Sequence, residues 1–510
     1  MNEKNIEKTI ERIILNPKKY NSRYEGERFA LVYGAYSGVE KFAFNEIASI
    51  TQDYLRYCVE IIASDNKDID RNQGLILVGT VKSNKLIAEL AENGHLKVCD
   101  KPEGYTITRM ESPWVKEQPI IVIAGADENG VLYGVQDFNA RELSKLPDVE
   151  STSMTELEDA FHGISDFHYS EYPLVENRGV WTWGHVVYDY QAFLNNMARL
   201  KMNMITVWFK CPPINLEDII SYAHSKGIKF VAGFSWGWGT PYELETQEDI
   251  EAIKKHSVKT YLDGYKDFDI DGIYFQTKTE HDGTEINGKS IASIACKMVN
   301  EITEEILAIT PGIQIQFGLH ATSIVEKYVD LADLHPEVTI TWEDAGAIPF
   351  SYNPVGKEKI GAFGLPVGHD TFEATLEYSK KLATFRENAI FAIVPKGWIC
   401  TGGGRHKDFV MGVQGKRASR RWLEKRQADL TEKNEVWERN FHYAKRFYSE
   451  IIDLKPKSII ATALIESGMF ETFIQPSYAL FAEMLWNPKQ YEENLWEASQ
   501  KLGDAANNRI

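Results

Sequence analysis

The sequence predicts an α/β protein: a (β/α)8 TIM barrel preceded by a small α/β domain. Three observations carry this. From residue 172 onward, short apolar strands alternate with amphipathic helices in eight successive units, about the size such barrels have. Residues 28–147 hold a separate, shorter α/β pattern. Between them, the run 148–159 is rich in Ser, Thr and acids and reads as a linker. The expected organisation is an N-terminal helical extension (1–27), the small domain (28–147), the barrel (172–490) and a C-terminal helix (491–510).

In the small domain, 29–33, 74–79, 104–108 and 119–124 read as strands, being β-branched or aromatic runs near Gly or Pro. Helical periodicity covers 39–57 and 85–92, and a turn at 127–129 leads into a helix capped by Asp127 or Asn129. In the barrel, strands are expected at 177–183, 204–208, 228–234, within 271–281, and at 313–320, 338–344, 389–394 and 458–464. Phe193, Leu194, Met197 and Leu200 share one face of the helix at 189–201, and Gly227 and Pro311-Gly312 end two later helices. A doubly wound sheet would carry a Gly-rich phosphate loop after a strand. Gly402-Gly403-Gly404 follows the seventh strand without a Lys-Ser/Thr, so it reads as a flexible loop.

Composition bounds the function. The 510 residues are 43% hydrophobic and 25% charged, as in globular proteins. The net charge of -18 disfavours nucleic acid and anionic membrane, which need a basic surface. The five Cys (Cys58, Cys99, Cys211, Cys296, Cys400) form no CxxC pair, so neither a zinc site nor a disulfide framework is indicated, and no motif asks for a cofactor. The N-terminus has no apolar signal core, which leads to the expectation of a cytoplasmic location. The charged helical stretch 408–449 is expected to cover the barrel or to form a homodimer contact.

Chemistry is expected where strands end. The stretch from Asp271 runs through Ile273, Tyr274 and Phe275, turns polar, and closes on Glu280-His281. A buried parallel strand whose C-terminal end opens into a site reads this way, and barrels carry their catalytic groups at that end. Glu280 is therefore a candidate proton donor, with a strand-end ion pair as the other reading.

Particular segments resemble known glycosidases. Asn177-Arg178-Gly179, the run from Leu194 to Met204 and the run from Ile219 to Ile228 resemble the first three barrel units of the N-acetyl-β-hexosaminidases. The stretch from Asp127 to Phe138 resembles part of the α/β domain that precedes the barrel in those enzymes and in the xylan α-glucuronidases. The stretch from Tyr478 to Pro488 resembles the closing segment of the α-glucuronidases. The resemblance implies a glycosidase. Hexosaminidases carry His-x-Gly-Gly-Asp-Glu after the fourth strand; here the same positions read Phe275-Gln-Thr-Lys-Thr-Glu280. Only the Glu matches, and Thr279 replaces the Asp that orients a substrate acetamide, which weakens the hexosaminidase option.

Glycoside hydrolysis needs one carboxylic acid to protonate the leaving oxygen and usually a second carboxylate facing it. Glu343-Asp344 ends the sixth strand and supplies the partner, Glu343 first and Asp344 as the alternative, unless either caps a turn. Arg178 matches the hexosaminidase arginine that holds sugar hydroxyls, and otherwise reads as a buried Arg paired with a barrel Asp. Trp181, Trp183, Trp236, Trp238, Trp342 and Trp398 lie at or near strand ends; two or three are expected to stack on sugar and the rest to be core. His185, His281 and His320 follow strands without metal-ligand spacing, so hydrogen bonding to a sugar or a carboxylate is expected and no metal. Glu466 and Glu471 either close the pocket or are solvated. The expected activity is an exo-glycosidase, retaining or inverting, with α-glucuronidase-like or β-hexosaminidase-like specificity. A non-catalytic carbohydrate-binding relative is the reading from a different class.

Overall fold

The computed structural model describes residues 28–184, 186–279, 283–320, 325–343, 372–387, 389–395, 398, 420–465 and 470–510. The chain forms two compact units; the first holds the chain up to Pro173 with Ser225–Gly227 and Asp504–Arg509, and the second holds Leu174–His224 and Ile228–Gly503.

The first unit is a six-stranded mixed sheet with helices. Its elements are β1 (Phe29–Tyr33), α1 (Gly38–Tyr54), β2 (Glu60–Ala63), β3 (Gly74–Thr80), α2 (Lys85–Glu92), β4 (Tyr105–Glu111), β5 (Pro119–Gly125), α3 (Glu128–Arg141), α4 (Met154–His162) and β6 (Phe167–Glu171). The strand order is β2-β1-β3-β5-β4-β6, with β4 antiparallel to both of its neighbours. β3 is buried along its whole length, as a central strand covered on both faces must be. Asp127 caps α3, its side chain accepting from the Gly130 N–H. The polar run expected as a linker holds α4, which opens on a capping box between Ser153 and Glu156. Beyond it, β6 pairs with β4, so the unit extends past residue 147.

The second unit is the closed barrel. Its elements are β7 (Asn177–Trp183), α5 (Tyr190–Arg199), β8 (Met204–Trp208), α6 (Leu216–His224), β9 (Lys229–Trp236), α7 (Gln247–Gly264), β10 (Gly272–Thr277), the hairpin strands β11 (Glu285–Ile286) and β12 (Lys289–Ser290), α8 (Ile291–Ile309), β13 (Gln314–His320), β14 (Val338–Glu343), α9 (Phe372–Thr384), β15 (Ile390–Val394), α10 (Arg420–Asp453), β16 (Ser458–Leu464), α11 (Pro476–Trp486) and α12 (Glu492–Asn507). Eight strands close in the order β10-β13-β14-β15-β16-β7-β8-β9, all parallel. Period-two alternation decides which side chains enter the barrel. Trp181, Met204, Val231, Tyr274, Ala392, Val394, Ile460 and Leu464 form its interior cluster, with Trp183 and Trp208 packed against it. A barrel with parallel strands keeps its chemistry at the C-terminal ends, which here are the ends at Trp183, Trp208, Trp236, Thr277, His320, Glu343, Val394 and Leu464.

Candidate active site

Glu343 is the last residue of β14 and is 4% exposed. Its Oε1 accepts a hydrogen bond from the Tyr274 hydroxyl and a second, at 2.5 Å, from the Gln276 side-chain amide. Tyr274 and Gln276 are two apart on β10, so they share the face that points into the barrel. β13 lies between β10 and β14, and its Gly318 is what lets the two meet. A Cβ at that position would fall on the Tyr274 hydroxyl and on Glu343 Oε1. Glycine inside a strand often marks such a close approach.

The Tyr274 ring is held edge-on by two tryptophans, at 5.7 Å from Trp181 and 6.3 Å from Trp208. Trp183 meets Trp181 at 5.0 Å and Trp208 at 6.1 Å, both edge to face, which extends the group towards the strand ends. Trp183 and Trp208 are paired in register and half-buried. Burial drives the Tyr274 hydroxyl well above the ordinary phenol range, and the charge of Glu343 adds to this. Tyr274 therefore stays a neutral donor.

The edge of the site is braced by polar contacts. Thr277 donates through its hydroxyl to the Trp236 carbonyl at 2.8 Å. Lys278 is buried and pairs with Glu243 at 2.6 Å, tying the segment after β10 to the loop after β9. Trp238, in that loop, is 37% exposed. Thr279 is buried, and its N–H donates to the Thr277 carbonyl at 2.8 Å.

Several expected site residues pack elsewhere. Arg178 is the second residue of β7, at the end of the barrel opposite the strand C-termini. Its guanidinium donates to the carbonyls of Val175 at 2.7 Å, Glu176 at 3.1 Å and Lys201 at 3.0 Å, and it is 1% exposed. Trp236 alternates away from the interior and stacks on Phe275 at 3.5 Å, outside the barrel wall. Trp342 neighbours Glu343 and so points to the opposite face, where it packs on Tyr378 of α9 at 4.9 Å. Trp398 is core: it stacks on Trp437 at 4.7 Å and donates to the Ser477 hydroxyl at 2.9 Å. Glu471 is buried rather than solvated; Oε1 accepts from the Tyr188 N–H at 2.8 Å, and burial raises its carboxyl. His320 closes β13, but its side chain lies outside the described residues, as do Glu280, His281, Asp344, His185 and Glu466.

Trp208, Tyr274, Gln276 and Gly318 were not singled out from the sequence as site residues. Alternation offered a signal for three of them. Tyr274 and Gln276 sit two apart on the polar-ending strand, and Trp208 ends its strand as Trp183 ends β7. Gly318 inside an otherwise large-residue strand was the fourth cue.

No family model matches the chain, and no curated protein matches it. Among solved structures, the chain is similar to CpGH84D at 11% identity and TM-score 0.46, covering 92% of this chain and 67% of that one. It is similar to a GH138 enzyme targeting pectin rhamnogalacturonan II at 12% identity and TM-score 0.47, spanning 92% of this chain but 52% of that one. It is also similar to a β-N-acetylhexosaminidase at 9% identity and TM-score 0.41, covering 80% of this chain and 91% of that one. The fold itself is fixed by the hydrogen-bonded strand order: a closed eight-stranded parallel barrel with a separate mixed-sheet unit.

Proposed function

We propose that the protein is an exo-acting glycoside hydrolase, with Glu343 as the base or nucleophile and Glu280, three residues beyond β10, as the proton donor. The observation that carries this is Glu343 itself: a buried carboxylate at a strand C-terminus inside the barrel, receiving two hydrogen bonds on one oxygen. A carboxylate in such a position, with half-buried tryptophans alongside, suits a sugar whose apolar face stacks on an indole and whose acetal carbon meets the carboxylate. Thr279, standing where an acetamide-orienting Asp would be, supports a substrate recognised through something other than an N-acetyl group. The -18 net charge leaves an acidic sugar such as a glucuronide dependent on a local basic group, and Lys278 is the buried cation nearest in sequence to Glu280.

The test is hydrolysis of aryl glucuronides, N-acetylglucosaminides and plain hexosides of both anomers by wild type, Glu343→Gln and Glu280→Gln. Turnover of one sugar class, lowered at least about 1,000-fold in each variant, is the expected result for two carboxyls that act together. Turnover that survives Glu343→Gln removes that residue from the chemistry. Binding of oligosaccharides without turnover of any of them favours a carbohydrate-binding protein instead.

A further inference from the structure

We infer that Tyr274 is a positioning residue for Glu343, and that Gly318 provides the space in which the pair forms, so that Glu343 is held as the charged carboxylate and does not serve as the proton donor. The inference rests on the glycosidase reading for its catalytic meaning, but the contact and its electrostatic consequence stand on the geometry alone.

An sp² carboxyl oxygen has two lone pairs. Glu343 Oε1 accepts from the Tyr274 hydroxyl and from the Gln276 amide, so both lone pairs of that oxygen are engaged and a proton could sit only on Oε2. A side-chain amide facing a carboxylate presents its NH2 end, which can only donate. A neutral phenol is likewise a donor to a carboxylate. Both hydrogen bonds thus favour the charged form. They also fix the plane of the carboxyl group and orient its second oxygen for attack on an acetal carbon or on the proton of a water molecule.

The donor is itself fixed. Tyr274 is fully buried, and its ring cannot swing because Trp181 and Trp208 close on it edge to face. Gly318 completes the arrangement. Any side chain there would occupy the space between phenol and carboxylate, so glycine is required by the close approach rather than by its backbone angles. Three neighbouring strands, β10, β13 and β14, each give one member of the device: a donor, a gap and an acceptor.

The experiment has two readouts. The first is the infrared difference spectrum between wild type and Glu343→Gln at neutral pH, which isolates this carboxyl group without any substrate. Carboxylate bands lost on substitution, and displaced in Tyr274→Phe, are expected. Loss of a protonated-carboxyl band instead, or bands unmoved in Tyr274→Phe, overturns the inference. The second is kinetic. Removing one hydrogen bond to a charged group is expected to lower kcat about 10- to 100-fold in Tyr274→Phe, with KM within about twofold and the acidic limb of the pH–rate profile moved to higher pH. An unchanged kcat and pH profile overturns the positioning role. Should no glycoside be turned over, the functional reading fails while the infrared result still decides the contact. Gly318→Ala is followed by thermal unfolding in both backgrounds. It is expected to lower Tm more in wild type than in Tyr274→Phe, where the hydroxyl is gone; equal losses overturn the assignment of Gly318.

Discussion

Arg178 is the residue at which pattern and position part. Its Asn-Arg-Gly context resembles a sugar-binding motif, yet it stands at the start of β7 and spends its donors on three backbone carbonyls. It belongs to a buried charged group with Lys201 and Glu483, whose side chains pair at 1% and 3% exposure, and both cations lie over the Trp486 ring. Burying charges is tolerable only when each is matched. Glu483→Gln leaves a cation uncompensated and is expected to cost about 3–5 kcal/mol in urea unfolding. The double change Lys201→Met with Glu483→Leu is expected to cost clearly less, because neither member of the pair is left facing an empty place, while Arg178 keeps its carbonyl partners. A Glu483→Gln penalty below about 1 kcal/mol would show that the pair is solvated in practice.

At the scale of elements, two side chains join helices to strands. Asn84 caps α2, its oxygen accepting from the Leu86 and Ile87 N–H groups, while its amide donates to the carbonyls of Val32 and Val78 at 3.0 and 3.1 Å. It is fully buried, so Asn84→Ala takes the acceptor from two cap N–H groups and a donor from two carbonyls where water cannot replace it; the Val78 carbonyl keeps the Gly34 N–H. A loss of about 2–4 kcal/mol is expected from the lost cap and the lost donors to the two carbonyls together, read from the denaturation midpoint. His224, at the end of α6, pairs with Asp271 at 2.9 Å ahead of β10, and the same carboxyl oxygen accepts from the Phe230 N–H of β9 at 2.7 Å. The hydrogen bond to Asp271 raises the imidazole above its ordinary value. A raised folded-state value means stabilisation that is complete below about pH 6.5 and fades as pH rises through the folded value. The stability gap between wild type and His224→Ala is therefore expected to be widest in mild acid and to narrow towards alkaline pH. A gap that stays constant with pH would mean that the ring acts by packing alone.

For the whole molecule, charge and topology make separate demands. The -18 net charge opposes compaction through self-repulsion, and surface charges are screened within about 10 Å at 0.1 M salt. Thermal stability is expected to rise as sodium chloride goes from about 10 to 150 mM and then to level off; a fall over that range would mean that surface ion pairs outweigh net repulsion. Topology gathers the candidate site from strands distant in sequence: Tyr274, Gly318 and Glu343 meet only because β10, β13 and β14 lie side by side in the barrel wall. Among the described residues, no helix is long and apolar enough to cross a membrane.

Much of this architecture was legible in the sequence. The barrel strands at 177–183 and 204–208 stand where alternation and apolar runs placed them. Local signals suffice there, because a strand buried on both faces must be apolar along its length. The two edge strands β2 and β6 and the helix α4 were missed: half-exposed edges carry mixed residues, and a capped helix starts in the Ser/Thr/acid composition that also marks linkers. Glu343 could be named from its place at a strand end. Which tryptophans face the interior could not, since adjacent residues such as Trp342 and Glu343 point to opposite faces and sequence does not say which face is inside. The sequence determined the barrel strands and the carboxylate at a strand end, because these follow from local periodicity and residue chemistry. Only the tertiary structure decided that Tyr274, Gln276 and Glu343 share hydrogen bonds across the gap at Gly318, and that Arg178 is bound into the opposite end of the barrel, because those contacts depend on strand order and register rather than on neighbours along the chain.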